Sequence, residues 1–157
     1  MQRRSRISDS RGFTLVELMV VLAIGGVLAT LVTPALASYA RTATLQAAAR
    51  ELATAINLGR QLAISRNTSV CVEVASPMQL RLRTGGCAGP IWTGPGTDAS
   101  GAIKISDAVA LQISATANVV FSGLGAATPA GTYTLTNPAS NGTRTVVVAA
   151  TGRVSVR

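Results

Sequence analysis

The sequence predicts an α+β fold: one long amino-terminal helix packed on a small antiparallel β-sheet domain. Three observations carry that reading. An apolar run from residue 13 to residue 32 holds a single charge, Glu17. It passes into a segment whose apolar residues recur at spacings of three and four, to about Ser65. From Thr68 the period of the pattern changes to two. The 157 residues fit one such domain plus a helical extension.

Composition excludes several chemistries. There is no histidine, so no Ser-His-Asp triad, no Cys-His pair and no His-ligated metal site. Two cysteines cannot build a four-thiolate zinc site. The six acids form no evident carboxylate pair, and there is no phosphate-binding Gly-x-x-x-x-Gly-Lys loop. No catalytic, cofactor-binding or metal site is therefore expected. Charged residues are 13% and mean hydropathy is +0.40, which opposes disorder.

Taken in order, the chain opens on a basic leader, residues 1–12, with Arg3, Arg4, Arg6 and Arg11 against Asp9. About 20 helical residues span roughly 30 Å, the hydrocarbon thickness of a bilayer. Residues 13–40 thus read as a transmembrane segment, with the arginines cytoplasmic and the carboxyl-terminal bulk across the membrane. A cleavable signal peptide competes, with Ala35-Leu36-Ala37 and Ala37-Ser38-Tyr39-Ala40 as loose cleavage sites. An intramembrane acid usually has a functional partner. Glu17 is one turn in, however, and can also be read as a tolerated acid near the interface. Pro34 predicts a bend in the helix, with a domain boundary as the alternative.

Beyond it, Leu45, Ala48, Ala49, Leu52, Ile56, Gly59 and Ala63 form an apolar stripe whose small residues admit a sheet at close range. One continuous helix is expected from about Thr14 to about Ser65. Val70, Val72 and Val74 alternate with Cys71 and Glu73, and Leu80 and Leu82 with Arg81 and Arg83. Ser76-Pro77 between them makes a hairpin, in which Glu73 can pair with a cross-strand arginine. Residues 84–101 form a long irregular loop, in which Trp92 is a core or loop anchor. Further strands are expected at residues 102–105, 110–113, 118–122, 132–136, 143–149 and 153–156. Asn141-Gly142 is a turn signal between the fifth and sixth strands of the domain's later run.

The run Arg11-Gly12-Phe13-Thr14-Leu15-Val16-Glu17-Leu18 resembles the prepilin leader motif of type IV pilins and type II secretion pseudopilins. The resemblance implies cleavage between Gly12 and Phe13 by a prepilin peptidase, and N-methylation of Phe13. It gives Glu17 the role of pairing with a neighbouring subunit's amino terminus during assembly. The physics fits, since a buried carboxylate needs a cation. The helix end Arg60-Gln61-Leu62-Ala63-Ile64-Ser65-Arg66-Asn67, then Val70-Cys71-Val72, Cys87, Trp92 and Thr151-Gly152-Arg153-Val154, resemble the GspH/FimT branch of pseudopilins and minor pilins.

The resemblance implies a pilin-like, non-enzymatic subunit, single-pass in the inner membrane, with residues 41–157 a periplasmic globular domain. Its partners are other pilins or pseudopilins of the fibre, the peptidase/methylase and the inner-membrane assembly platform. No cofactor is implied. Type II secretion pseudopilus and type IV pilus both remain open. In an oxidising compartment Cys71 and Cys87 are expected to form a disulfide, with separate buried thiols as the alternative. Arg144, Arg153 and Arg157 lie in the last fourteen residues and, on neighbouring strands, are expected to make one basic patch. Some FimT-like pilins bind DNA through a Gly-Arg-x-Arg element. Gly152-Arg153 matches its start and Ser155 replaces its second arginine, so a DNA-binding minor pilin acting in DNA uptake is the alternative function. A solvated basic edge that discourages sheet aggregation is the plainer reading of the same residues.

Overall fold

A computed structural model describes residues 12–106, 111–139 and 141–157; within them, the side chains of residues 31, 34 and 35 are not described. The basic leader before Gly12, and the start of the strand expected at 110–113, lie outside the described residues. The chain divides into two compact units, Met1–Tyr39 and Ala40–Arg157.

A single helix, α1 (Leu15–Ser65), runs for 51 residues, as the continuous pattern predicts. Its backbone stays helical through Pro34. The hydroxyl of Thr14 caps its start, accepting the Glu17 N–H at 3.2 Å. Asn67, at φ 45°, ends it. The N–H groups of Thr68 and Asn67 return to the carbonyls of Ala63 and Ile64, which closes the last turn with a left-handed residue.

Among the described residues no helix is long and apolar enough to cross a membrane. A membrane-spanning first half is therefore an expectation of the sequence, not a feature of the described helix.

In the second unit the predicted stripe is the buried face of α1. Leu45, Ala48, Ala49, Leu52, Ile56 and Ala63 are all buried, joined by Ala55 and Leu62. Gly59 marks the closest approach of the sheet, since a Cβ there would lie 3.0 Å from Val72 Cγ2 and 3.1 Å from Leu82 Cδ2.

Eight strands follow: β1 (Val70–Ser76), β2 (Gln79–Thr84), β3 (Ala102–Lys104), β4 (Gln112–Ala115), β5 (Val119–Phe121), β6 (Gly131–Asn137), β7 (Gly142–Val148) and β8 (Val154–Val156). They form two four-stranded sheets, ordered β3-β2-β1-β5 and β4-β6-β7-β8, with every pairing antiparallel. The helix stripe, Val70, Val72, Leu80 and Leu82 of the first sheet, and Tyr133, Leu135, Val146 and Val148 of the second share one hydrophobic core. Tyr133 also joins the sheets by hydrogen bonds. Its buried phenol donates to the Val72 carbonyl at 3.0 Å and accepts from the Val119 N–H at 3.4 Å. Burial pushes the phenol's pKa up to about 12.

The connection at Asn141-Gly142 is a turn, but not a two-residue one. Asn137 faces Gly142, so Gly142 already belongs to β7.

Candidate functional site

Two regions hold the residues that the sequence singles out. The first is the start of α1. Gly12 and Phe13 precede the helix in irregular backbone and are exposed, Phe13 at 81%. Glu17 stands exposed in the first turn, one helical turn beyond Phe13, where the helix N-terminus favours negative charge. Around it Leu15, Val16, Leu18, Met19, Val20 and Val21 are all more than half exposed, so this end of the helix is apolar on every side.

The second region is the outer part of the second sheet. β8 pairs with β7 in the register Val146↔Val156, Val147↔Ser155 and Val148↔Val154. The pairing extends to Thr145 and Arg157, which exchange hydrogen bonds of 3.0 and 2.8 Å, and to Ala149, whose N–H donates to the Arg153 carbonyl at 2.9 Å. Paired residues share a face, and faces alternate along a strand. Arg153, Ser155 and Arg157 therefore stand on one face with Thr145, Val147 and Ala149. This face carries an open groove of about 440 Å³ lined by Val147, Ala149, Arg153, Ser155, Val156 and Arg157.

Arg144 is not part of it. It pairs with Leu135 and belongs to the face of Val146 and Val148, which point into the core. The expected three-arginine patch is thus corrected to two arginines, because β7 turns Arg144 to the opposite side.

The β7–β8 turn depends on contacts that sequence spacing does not reveal. Arg60 of α1 donates from Nε to the Gly125 carbonyl at 3.0 Å. Gly152 packs onto that same carbonyl at φ 80°, and a Cβ there would collide with it. On the helix wheel Arg60 reads only as polar surface, yet it fixes the loop beside the turn that launches β8. The positive φ explains the glycine of Gly152-Arg153 without reference to a ligand.

The first sheet holds the remaining predicted pairs. Cys71 and Cys87 form a disulfide with Cα atoms 5.0 Å apart, tying β1 to the irregular loop. The Glu73 carboxylate accepts from Arg83 Nε at 3.0 Å and lies 3.7 Å from Arg81 Nη1. Arg83 also donates to the Gly89 carbonyl at 3.0 Å, a second tie to the loop. Trp92 is partly buried against the core, as an anchor would be. Asp98 organises the end of the loop. The Ser100 hydroxyl and the Ala102 N–H bond its carboxylate and hold its pKa below the usual carboxylate value.

The comparisons with known proteins agree with this architecture. A family model for the prokaryotic N-terminal methylation motif matches residues 7–33. The model for type II transport protein GspH matches residues 48–152. Comparison with curated protein sequences gives no match. Among solved structures, the type IV minor pilin FimU of Pseudomonas aeruginosa PAO1 is similar, with TM-score 0.60 and 18% identity over 76% of this chain and 92% of that one. The minor pseudopilin EpsH from the type 2 secretion system of Vibrio cholerae gives TM-score 0.56 and 10% identity, over 73% of this chain and 96% of that one. At these identities the structures speak to the fold. The GspH match covers more than half of the chain, and the chain belongs to the GspH family.

Proposed function

We propose, from membership of the GspH family as premise, that this chain is a minor subunit of a type II secretion pseudopilus or type IV pilus. In this reading the leader is removed between Gly12 and Phe13 and Phe13 is N-methylated. Residues 13–32 hold the subunit in the inner membrane, with residues 41–157 in the periplasm. The assembly platform then passes it into the fibre. The subunit is structural and is itself the substrate of the peptidase and methylase.

The observation that carries this reading is the apolar surface at the start of α1. Fully burying one such Leu, Val or Met side chain is worth about 1.5–3 kcal/mol. A helix apolar all round is stable only when lipid or other protein surrounds it. A membrane before assembly, and neighbouring subunits' helices after it, supply both environments. Within that setting Glu17 needs a cation, and a neighbouring Phe13 amine is one.

Two measurements test the reading. Amino-terminal mass spectrometry of the full chain co-expressed with a prepilin peptidase should give a mature chain beginning at methylated Phe13. A terminus near Ser38 would establish a cleaved signal peptide instead. Glu17→Ala should be processed and inserted but enter fibres poorly. Incorporation at the wild-type level would remove the pairing role.

A second reading, DNA capture, draws on Arg153 and Arg157 sharing one exposed face. Its support is narrower than the sequence suggests, since Arg144 stands on the other face. Replacing Arg153 and Arg157 should then abolish salt-sensitive DNA binding, and replacing Arg81 and Arg83 should not. Equal losses from both pairs would reduce the effect to general basicity.

A further inference from the structure

We propose that the outer edge of β8 takes up an extended, acidic segment of another protein as an added strand. This goes beyond the fibre reading and does not depend on it.

The hydrogen-bond pattern exposes the edge. β8 is the last strand of its sheet. Arg153 and Arg157 turn their peptide groups toward β7, at Ala149 and Thr145. Alternation in an antiparallel ladder then turns the N–H and C=O groups of Val154 and Val156 outward. Each of the other three edges of the two sheets is met by a neighbouring segment. The outward N–H of Ile113 in β4 donates to the Pro77 carbonyl at 2.6 Å. β5 receives the Thr128 N–H on its Val120 carbonyl at 2.8 Å, beside a bridge from Phe121 to Ala127. Asp98 closes β3, its N–H donating to the Ala102 carbonyl and its carboxylate accepting the Ala102 N–H, both at 2.9 Å. Among the described residues no such segment meets Val154 or Val156.

The side chains define what fits. Arg153 and Arg157 lie four residues apart on one face, about 13 Å along an extended strand. A strand laid against β8 with carboxylates at alternate positions would set them beside both guanidinium groups, and opposite charges across strands stabilise a pairing. Its other side chains would meet Val154 and the 40%-exposed Val156. A second copy of the same edge fits poorly, because an antiparallel β8–β8 pairing sets arginine against arginine. A nucleic acid fits less well than an acidic strand. Phosphates would use the two arginines but leave the outward peptide groups and Val156 without partners.

The test uses the full chain in non-ionic detergent and a fluorescent, blocked peptide alternating valine with glutamate, read by anisotropy. Saturable binding is expected, with none for the matching valine–lysine peptide. Reversing both charges, Arg153→Glu with Arg157→Glu, should abolish it. Val156→Pro removes an outward N–H without touching the β7 ladder, so it should weaken binding about tenfold with near-UV circular dichroism unchanged. Should that variant misfold, N-methylating the peptide backbone on the edge-facing side makes the same cut on the ligand and should cost as much with wild-type protein. The proposal is overturned if the valine–glutamate peptide does not bind, or if backbone N-methylation leaves its affinity unchanged. It is also overturned if the peptide fails and duplex DNA binds through Arg153 and Arg157, which would assign the face to nucleic acid.

Discussion

Tyr133→Phe removes one oxygen from the middle of the core, and its effect is set by two hydrogen bonds. The phenol joins the second sheet to the first through the Val72 carbonyl at 3.0 Å and the Val119 N–H at 3.4 Å. A typical net hydrogen bond contributes about 1 kcal/mol, and leaving its buried partner unpaired raises the cost to about 1–2 kcal/mol. The stability of the full chain in detergent should fall by that amount near neutral pH, with the fold retained because the ring still fills its space.

The pH dependence separates the hydroxyl from the ring. Burial raises the folded-state pKa from the ordinary value of 10.0 to about 12. Below about pH 10 the phenol is protonated folded and unfolded, and stability does not depend on it. Between about pH 10 and pH 12 the unfolded chain has lost the proton while the folded chain keeps it. Stability therefore falls as pH rises, by about 1.4 kcal/mol per pH unit at most. By about pH 11 the wild type should have lost on the order of 1 kcal/mol that Tyr133→Phe does not lose. Guanidinium unfolding followed by Trp92 fluorescence at about pH 8 and about pH 11 gives both numbers. The two proteins differ only in that hydroxyl, so every other contribution cancels in the comparison. Equal alkaline losses in the two proteins would refute the account of a buried, neutral phenol holding the sheets together.

Three further perturbations test the scaffold. Cys71→Ser should cost roughly 3 kcal/mol, the chain-entropy value for a closed loop of about 15 residues, checked by denaturation of oxidised material; two titratable thiols in unreduced wild type would remove the basis for it. Gly59→Val should destabilise by about 1–3 kcal/mol, because even a bare Cβ would lie 3.0 Å from Val72, and an unchanged melting temperature would mean that the sheet gives way. Gly152→Ala should cost upward of about 1 kcal/mol through its positive φ and the Gly125 carbonyl, and should also release β8, read as faster amide exchange at Arg157.

Much of this architecture is legible in the residues themselves. The buried stripe of α1 is the stripe written at spacings of three and four, and the strand positions follow the alternating runs to within a few residues. Alternation leaves open which strand pairs with which. β1 takes β5 as its second neighbour, past three strands, of which β2 and β3 join the same sheet and β4 joins the other. The choice is made across the core, where the Tyr133 phenol bonds to Val72 of β1 and Phe121 of β5 pairs with Val70, and no local pattern encodes it.

The placement of the arginines shows the same boundary at the scale of one residue. Arg153 and Arg157 share a face because they are four apart on one strand, and that is written in the sequence. Whether Arg144 joins them depends on the register between β7 and β8, and the turn between them sets it. Ala149 bonds to Arg153 across residues 150–152, with Gly152 in the left-handed conformation. A three-residue hairpin loop of this kind takes such a glycine at its last position. A two-residue loop would have set residue 144 opposite residue 157 and made the three-arginine patch. A one-residue change in register turns every side chain of a strand to its other face. The buried contact of Gly152 with the Arg60-bound Gly125 carbonyl holds the longer loop in place. Part of what decides the basic face of the second sheet is therefore a hydrogen bond from α1, far from it in the chain.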